Sequence, residues 1–295
     1  MISDITLGQF FPGDSVLHKL DPRMKLILSV LFIVSVFLAN TTVSFVILIL
    51  AVIILVALCK ISMRVILKGI KPIVVVIIFT TLINVFLTKG DGDPLIHFWR
   101  ISIYTEGIVK AVFSSVRVIL LIIGTSVLLT YTTSPIALTD GLESLLKPLK
   151  YLHFPVHSFA MMMNIALRFI PTLVEETEKI MNAQKSRGAD FSSGSLVKRA
   201  RALIPLLVPL FISSFKRADE LAIAMECRCY RGDKNRTKLV KLEYKKRDAL
   251  WFVIGLAFIA LMITLLVIPP HISTLFEGNE LLYDIMFYKL NGASR

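Results

Sequence analysis

Long apolar runs separated by short polar or cationic links fall at residues 24–39, 43–59, 72–88, 107–133 and 249–268. Each approaches the roughly 20 residues that a helix needs to cross a ~30 Å hydrocarbon core once tilt is allowed. The pattern predicts five spans. Only Asn40-Thr41-Thr42 separates the first two, yet one helix from Leu26 to Leu58 would be about 50 Å long, so two short helices and a tight turn are expected. The same tripeptide matches a glycosylation sequon, a weak signal at so tight a turn.

Two further apolar runs, 155–174 and 202–215, carry a different pattern. If both crossed the bilayer, Arg168 would sit in mid-span at a cost of about 2.5–3.5 kcal/mol, and Lys179, Lys185, Arg187, Lys198, Arg199 and Arg201 would lie outside. These runs are therefore expected as long amphipathic helices along or just beneath the membrane. In the first, Ala166, Ile170, Leu173, Thr177, Ile180 and Gln184 follow helical spacing, with Glu175, Glu176, Glu178 and Lys179 toward the other side. In the second, Phe211, Phe215, Ala218, Leu221, Ala222 and Met225 form an apolar stripe, and Arg217, Glu220 and Arg228 share a more polar face. Pro171, Pro205 and Pro209 are expected to start, kink or end helices.

Composition sharpens the class. Of 295 residues 55% are hydrophobic, and the mean hydropathy is +0.74, which marks an all-α integral membrane protein. The net charge of +12 reads as topology and contact with acidic lipid or protein. No nucleic-acid-binding motif is present. Lys19, Arg23 and Lys25 precede the first span, Lys60, Arg64, Lys68 and Lys71 separate the second from the third, and most remaining cations lie between 134 and 248. That asymmetry puts the N-terminus in the cytoplasm of a multi-pass protein. Three parts result: a membrane domain over 1–133 with four spans, a cytoplasmic domain over 134–248, and a last span with its tail over 249–295. Cys59, Cys227 and Cys229 form no disulfide framework and no metal-ligand spacing, and MISDITLGQFFPGDS does not resemble a removable signal peptide.

Chemistry-bearing positions are few. Asp21 before Pro22 reads as an N-cap with proline at the first helical position, and Arg23 and Lys25 anchor that end of span one. Arg117 is the costly charge inside a span, either satisfied by packing or placed at a partner interface, with Asn84 a second polar residue in a span. His153 and His157 are four apart, but Pro155 between them breaks the helical register, so no metal site is expected. No nucleotide-binding, dinucleotide-binding, serine-hydrolase or zinc-protease motif occurs. The spans hold no Asp or Glu near their centres, which argues against a gradient-driven transporter. Glu175, Glu176 and Glu178 lack the nucleophile or metal cage that a membrane enzyme would need.

Two arginine tripeptides remain, Ser186-Arg187-Gly188 and Cys227-Arg228-Cys229. Each closes a predicted amphipathic helix. Gly188 suits a left-handed residue just past a helix end, and Arg187 complements the negative end of the helix dipole. A permanent, planar cation at a helix end also fits a carboxylate held at two points.

These tripeptides, within Ala183–Phe191 and Ala224–Thr237, together with Leu20-Asp21-Pro22-Arg23-Met24-Lys25, resemble the transmembrane T component of energy-coupling factor transporters, the ABC-type vitamin and metal-ion importers of prokaryotic cell membranes. The resemblance implies a scaffold without catalytic activity or cofactor. In it, two ABC ATPase subunits of the EcfA and EcfA′ type would dock on Arg187 and Arg228, and a membrane-embedded substrate-binding S component would pack on an apolar surface for which Phe211, Phe215, Leu221 and Met225 are the candidates. The second tripeptide departs from the family's usual Ala-Arg-Gly. Arg228 is the first choice for its docking residue, because Ala224-Met225-Glu226 precedes it and Tyr230 follows; Arg231 is the second.

Overall fold

The computed structural model describes residues 11–267 apart from 12, 89–95, 99–100, 153, 190, 192–194, 231 and 233–241. The chain divides into two compact units, one formed by residues 10–134 and 242–295, the other by 1–9 and 135–241. Apart from a hairpin of two three-residue strands, β1 (Ile96–Phe98) and β2 (Ile101–Ile103), the described residues form helices and their connections.

The membrane unit contains α1 (Pro22–Leu38), α2 (Thr42–Cys59), α3 (Met63–Ile70), α4 (Val74–Leu87), α5 (Thr105–Thr125) and the last helix, which spans Lys246–Val267. Four stretches among the described residues are long and apolar enough to cross a membrane: Thr42–Cys59, Met63–Leu87, Gly107–Thr130 and Lys246–Val267. The first expected span, α1, has 17 residues, about 26 Å at helical rise, and is the shortest of the five. The third span begins earlier than expected. Arg64, Lys68 and Lys71 do not form a loop, because α3 continues through a 3-10 turn at Lys71–Ile73 into α4.

Packing follows from where the helices face protein and where they face lipid. Leu17, Val36, Leu48, Val127 and Met262 are almost wholly buried and centre the core. By contrast α4 has no buried residue and exposes Val75 and Phe79, an outward apolar face that suits lipid tails. It packs on α5, where the Thr81 and Ser115 hydroxyls bond at 2.8 Å. Gly124 lets α1 and α5 approach, since a Cβ there would lie 2.2 Å from Phe32. Asn84 is satisfied within its own helix by the Thr80 carbonyl at 2.9 Å.

The tight turn between α1 and α2 forms as expected, with Thr41 as N-cap of α2 and its hydroxyl 2.7 Å from that of Ser44. Arg117 is bonded internally there. From α5 its guanidinium donates to the Ala39 carbonyl and to Asn40 Oδ1, and it lies 5.4 Å from the centre of the Phe45 ring. It therefore satisfies backbone that the end of α1 leaves without partners.

The other end of α1 is fixed by residues distant in sequence. Asp21 caps α1 by accepting from the Arg23 N–H at 2.9 Å. Asp248, whose carboxylate is buried, accepts from the Asp21 N–H at 3.0 Å and from the Lys245 N–H at 2.8 Å. One side chain thus ties the starts of two helices. Lys25, also buried, donates to the carbonyls of Thr132 at 2.8 Å and His18 at 3.3 Å, while Arg23 stacks over Tyr244 at 5.2 Å. Asp248→Ala would strand the buried N–H of Asp21, at a cost of about 1–3 kcal/mol, and remove the acceptor of the Lys245 N–H. The expected outcome is a thermal-unfolding midpoint in detergent clearly below the parent's, with Asp248→Asn intermediate.

Candidate functional site: two helix ends that present arginine

In the second unit the described helices are α6 (Pro135–Leu145), a 3-10 turn over Lys147–Leu152, α7 (Val156–Ser186) and α8 (Leu196–Cys227). Neither α7 nor α8 is among the stretches apolar enough to span a membrane. With 31 and 32 residues they are the longest helices among those described. Both run through their prolines without a break in assignment: Pro171 lies inside α7, and Pro205 and Pro209 inside α8. Proline removes one rung of the hydrogen-bond ladder at each position.

Helix α6, which the hydropathy pattern did not single out, docks on α7 through two polar pairs. His157 Nδ1 lies 3.0 Å from Glu143 Oε1, and Asn164 donates to Asp140 at 3.1 Å. His157 is thus held by a carboxylate, and His153 lies outside the described residues. No group of three or more His, Cys, Asp or Glu able to hold a metal ion occurs among the described residues.

The contact between α7 and α8 differs from the sequence pattern in one respect. Glu176 and Arg217, expected on the more polar sides of their helices, form an ion pair at 3.0 Å, and the Arg217 guanidinium lies 5.9 Å from the centre of the Phe169 ring. Leu221 and Met225 are half-buried on the same side of α8 as Arg217, whereas Phe211 and Phe215 are exposed at 65% and 56% and pack edge-on against each other at 4.7 Å. An exposed charge pair is worth little. This one is partly enclosed and lies in the contact between the two helices.

From that pair, equal lengths of helix lead to the two arginines. Eleven residues separate Glu176 from Arg187, and eleven separate Arg217 from Arg228, about 16 Å along each helix. The two ends are built alike. At α7, the Gly188 N–H donates to the Lys185 carbonyl at 2.9 Å and the Ala189 N–H to that of Gln184 at 3.0 Å. At α8, the Cys229 N–H donates to the Glu226 carbonyl at 2.8 Å and the Tyr230 N–H to that of Met225 at 3.0 Å. Both are Schellman caps, with Gly188 at φ +87° and Cys229 at φ +59° in the left-handed region.

Because backbone closes both caps, neither arginine side chain is needed for capping. Arg187 and Arg228 are exposed, and among the described residues neither guanidinium has a hydrogen-bond or carboxylate partner. Ser186 and Cys227 are the last helical residues. Cys227 and Cys229 are exposed free thiols, and Arg231 lies outside the described residues. The cap at Cys229 was not legible beforehand, since a left-handed cysteine carries a steric cost that glycine avoids.

A bundle of membrane helices joined to a unit whose longest helices end in two exposed arginines defines a helical membrane protein. The sequence model of the CbiQ family, described as a cobalt transport protein, matches residues 13–239. The energy-coupling factor transporter transmembrane protein EcfT of Clostridium kluyveri is 49% identical over 263 residues, covering 89% of this chain and 97% of its own length. That of Acidaminococcus fermentans is 52% identical over 262 residues, with 89% and 97% covered, and that of Bacillus subtilis 48% identical over 248, with 84% and 93% covered. The chain belongs to this family, the transmembrane T components of energy-coupling factor transporters.

Cap chemistry makes a local prediction. Gly188→Val should loosen the end of α7 by about 1 kcal/mol, because a β-branched residue resists positive φ, and Cys229→Gly should tighten the end of α8 by a similar amount. Amide hydrogen exchange at Ala189 and Tyr230 reads both changes.

Proposed function

We propose that this chain is the scaffold and coupling subunit of an energy-coupling factor importer. It carries ATP-driven motion from two ABC ATPases of the EcfA and EcfA′ type to a separate S component that binds a vitamin or a metal ion. Hydrolysis belongs to the ATPases, and this subunit is not catalytic. The observation that carries the reading is the pair of like caps on equal lengths of helix, each presenting an arginine whose charge is not used internally. Each guanidinium offers a planar, permanently charged fork to an acidic groove.

In this reading residues 134–248 face the cytoplasm with the N-terminus, while 1–133 and 249–295 make the membrane part. The distribution of lysine and arginine supports that orientation. Closure of the two ATPases moves Arg187 and Arg228, and α7 and α8 pass the displacement to the S component. Phe211 and Phe215 supply exposed aromatic surface for it, flanked by Leu221 and Met225.

Truncating one side of a desolvated charge contact costs about 2–5 kcal/mol. Arg187→Ala combined with Arg228→Ala should therefore strip both ATPases from the copurified complex while the protein still inserts in the membrane; full retention of both would overturn the reading. Comparing Arg228→Ala with Arg231→Ala identifies the second docking residue by the larger loss. Orientation is checked without substitution: a membrane-impermeant maleimide should label Cys227 and Cys229 in inside-out vesicles and leave them unmodified in intact cells.

A further inference from the structure

A cleft runs along the membrane unit. Helices α1 and α2, although joined by a tight turn, both pack on α5 rather than closely on each other, and the last helix of the unit, α9 (Lys246–Val267), packs on α1. The wedge left between α2 and α9 has a volume of about 330 Å³. Leu28 and Phe32 form its floor, Ala51 and Ile54 one wall, and Trp251 and Phe258 the other. Ile54 is 49% exposed, so the cleft opens outward toward the lipid phase.

We propose that this cleft is a binding site for an anionic phospholipid, with an acyl chain in the wedge and the phosphate at its polar end. The wedge is apolar along its length, as an acyl chain requires: Leu28, Leu31, Phe32, Ile47, Ile54 and Phe258 line it. Charge supplies the rest. Arg247, Trp251, Gly255 and Phe258 recur at helical spacing, so an exposed cation lies one turn beyond the tryptophan on the stripe that lines the wedge.

The opposite wall ends in the same way. Asp248 holds the starts of α1 and α9 together. Cys59, at the close of α2, places its Sγ 3.9 Å from the Val127 carbonyl, and Lys25 near the start of α1 reaches Thr132, in the same segment. Lys60, exposed, follows directly. Exposed Lys246 and Arg247 on one wall and Lys60 on the other thus flank one end of an apolar slot, the charge pattern an anionic headgroup requires. Trp251 lies within two turns of the start of α9, beside these cations, a position that suits the interfacial preference of tryptophan.

Trp251 is also the reporter. The chain has two tryptophans, and Trp99→Phe leaves Trp251 alone. The full chain is reconstituted in phosphatidylcholine vesicles that contain increasing fractions of acyl-brominated phosphatidylglycerol or acyl-brominated phosphatidylcholine. Quenching should saturate at a lower mole fraction for the anionic lipid, by about fivefold for each cation that contributes. Lys246→Gln with Arg247→Gln should remove that preference, and Ala51→Phe, which fills the wedge, should weaken quenching by both lipids. Equal, non-saturating quenching by the two lipids would mean ordinary boundary lipid and would overturn the proposal. So would loss of all quenching in the assembled transporter alongside non-selective quenching of the isolated chain, since that would place a partner's helix in the cleft.

Discussion

Backbone at the end of a membrane helix has nowhere to turn for hydrogen bonds except to the protein itself, and the membrane unit is organised around that constraint. Its buried or costly charges serve helix ends. Asp21 and Asp248 accept the N–H groups where α1 and α9 begin, Arg117 donates to the carbonyls where α1 stops, and Lys25 donates to Thr132 beyond α5. Asp248 ties α9 to α1, and Arg117 and Lys25 tie α5 and the segment after it to α1, so these contacts require both neighbours to lie beside α1. The apolar packing of Phe32, Val36, Leu48 and Met262 then fills the space they define.

The second unit resolves the same difficulty the other way. Its two long helices close with backbone alone, through left-handed Gly188 and Cys229, and the arginines beside those caps are exposed. Further back, Glu176 and Arg217 join the two helices by an ion pair. A division of labour results. Lys25 and Arg117 of the membrane unit are used internally, whereas the arginines at the tips of α7 and α8 are exposed.

Short-range signals were readable in the sequence. Asp21 before Pro22, Gly188 after a long amphipathic run, and the arginine tripeptides at two helix ends follow from capping rules that act within four or five residues. The apolar runs gave four of the spans close to their observed places, because hydropathy reports burial from water directly. Contacts across long separations were not readable. Asp248 looked like a residue beyond the last span, yet it serves a helix start 227 residues away. Glu176 and Arg217 read as residues on the more polar sides of two separate helices, since periodicity within one helix carries no information about its neighbour. Helix α3 was hidden by its cations, which read as a loop although they line one side of a continuous helix. Cys229 gave no sign of its positive φ, because cysteine seldom adopts it.

Equal lengths from the Glu176–Arg217 contact to the two tips have a geometric consequence. If that contact acts as a fulcrum, matching pushes on the two tips turn the helices about it by the same amount, and neither tip gains leverage over the other. The angle between the helices becomes the single variable that records how far the tips have travelled. A change of length on one side alone, by a turn added or removed beyond the fulcrum, would give the two inputs unequal weight and convert a scissor motion into a tilt.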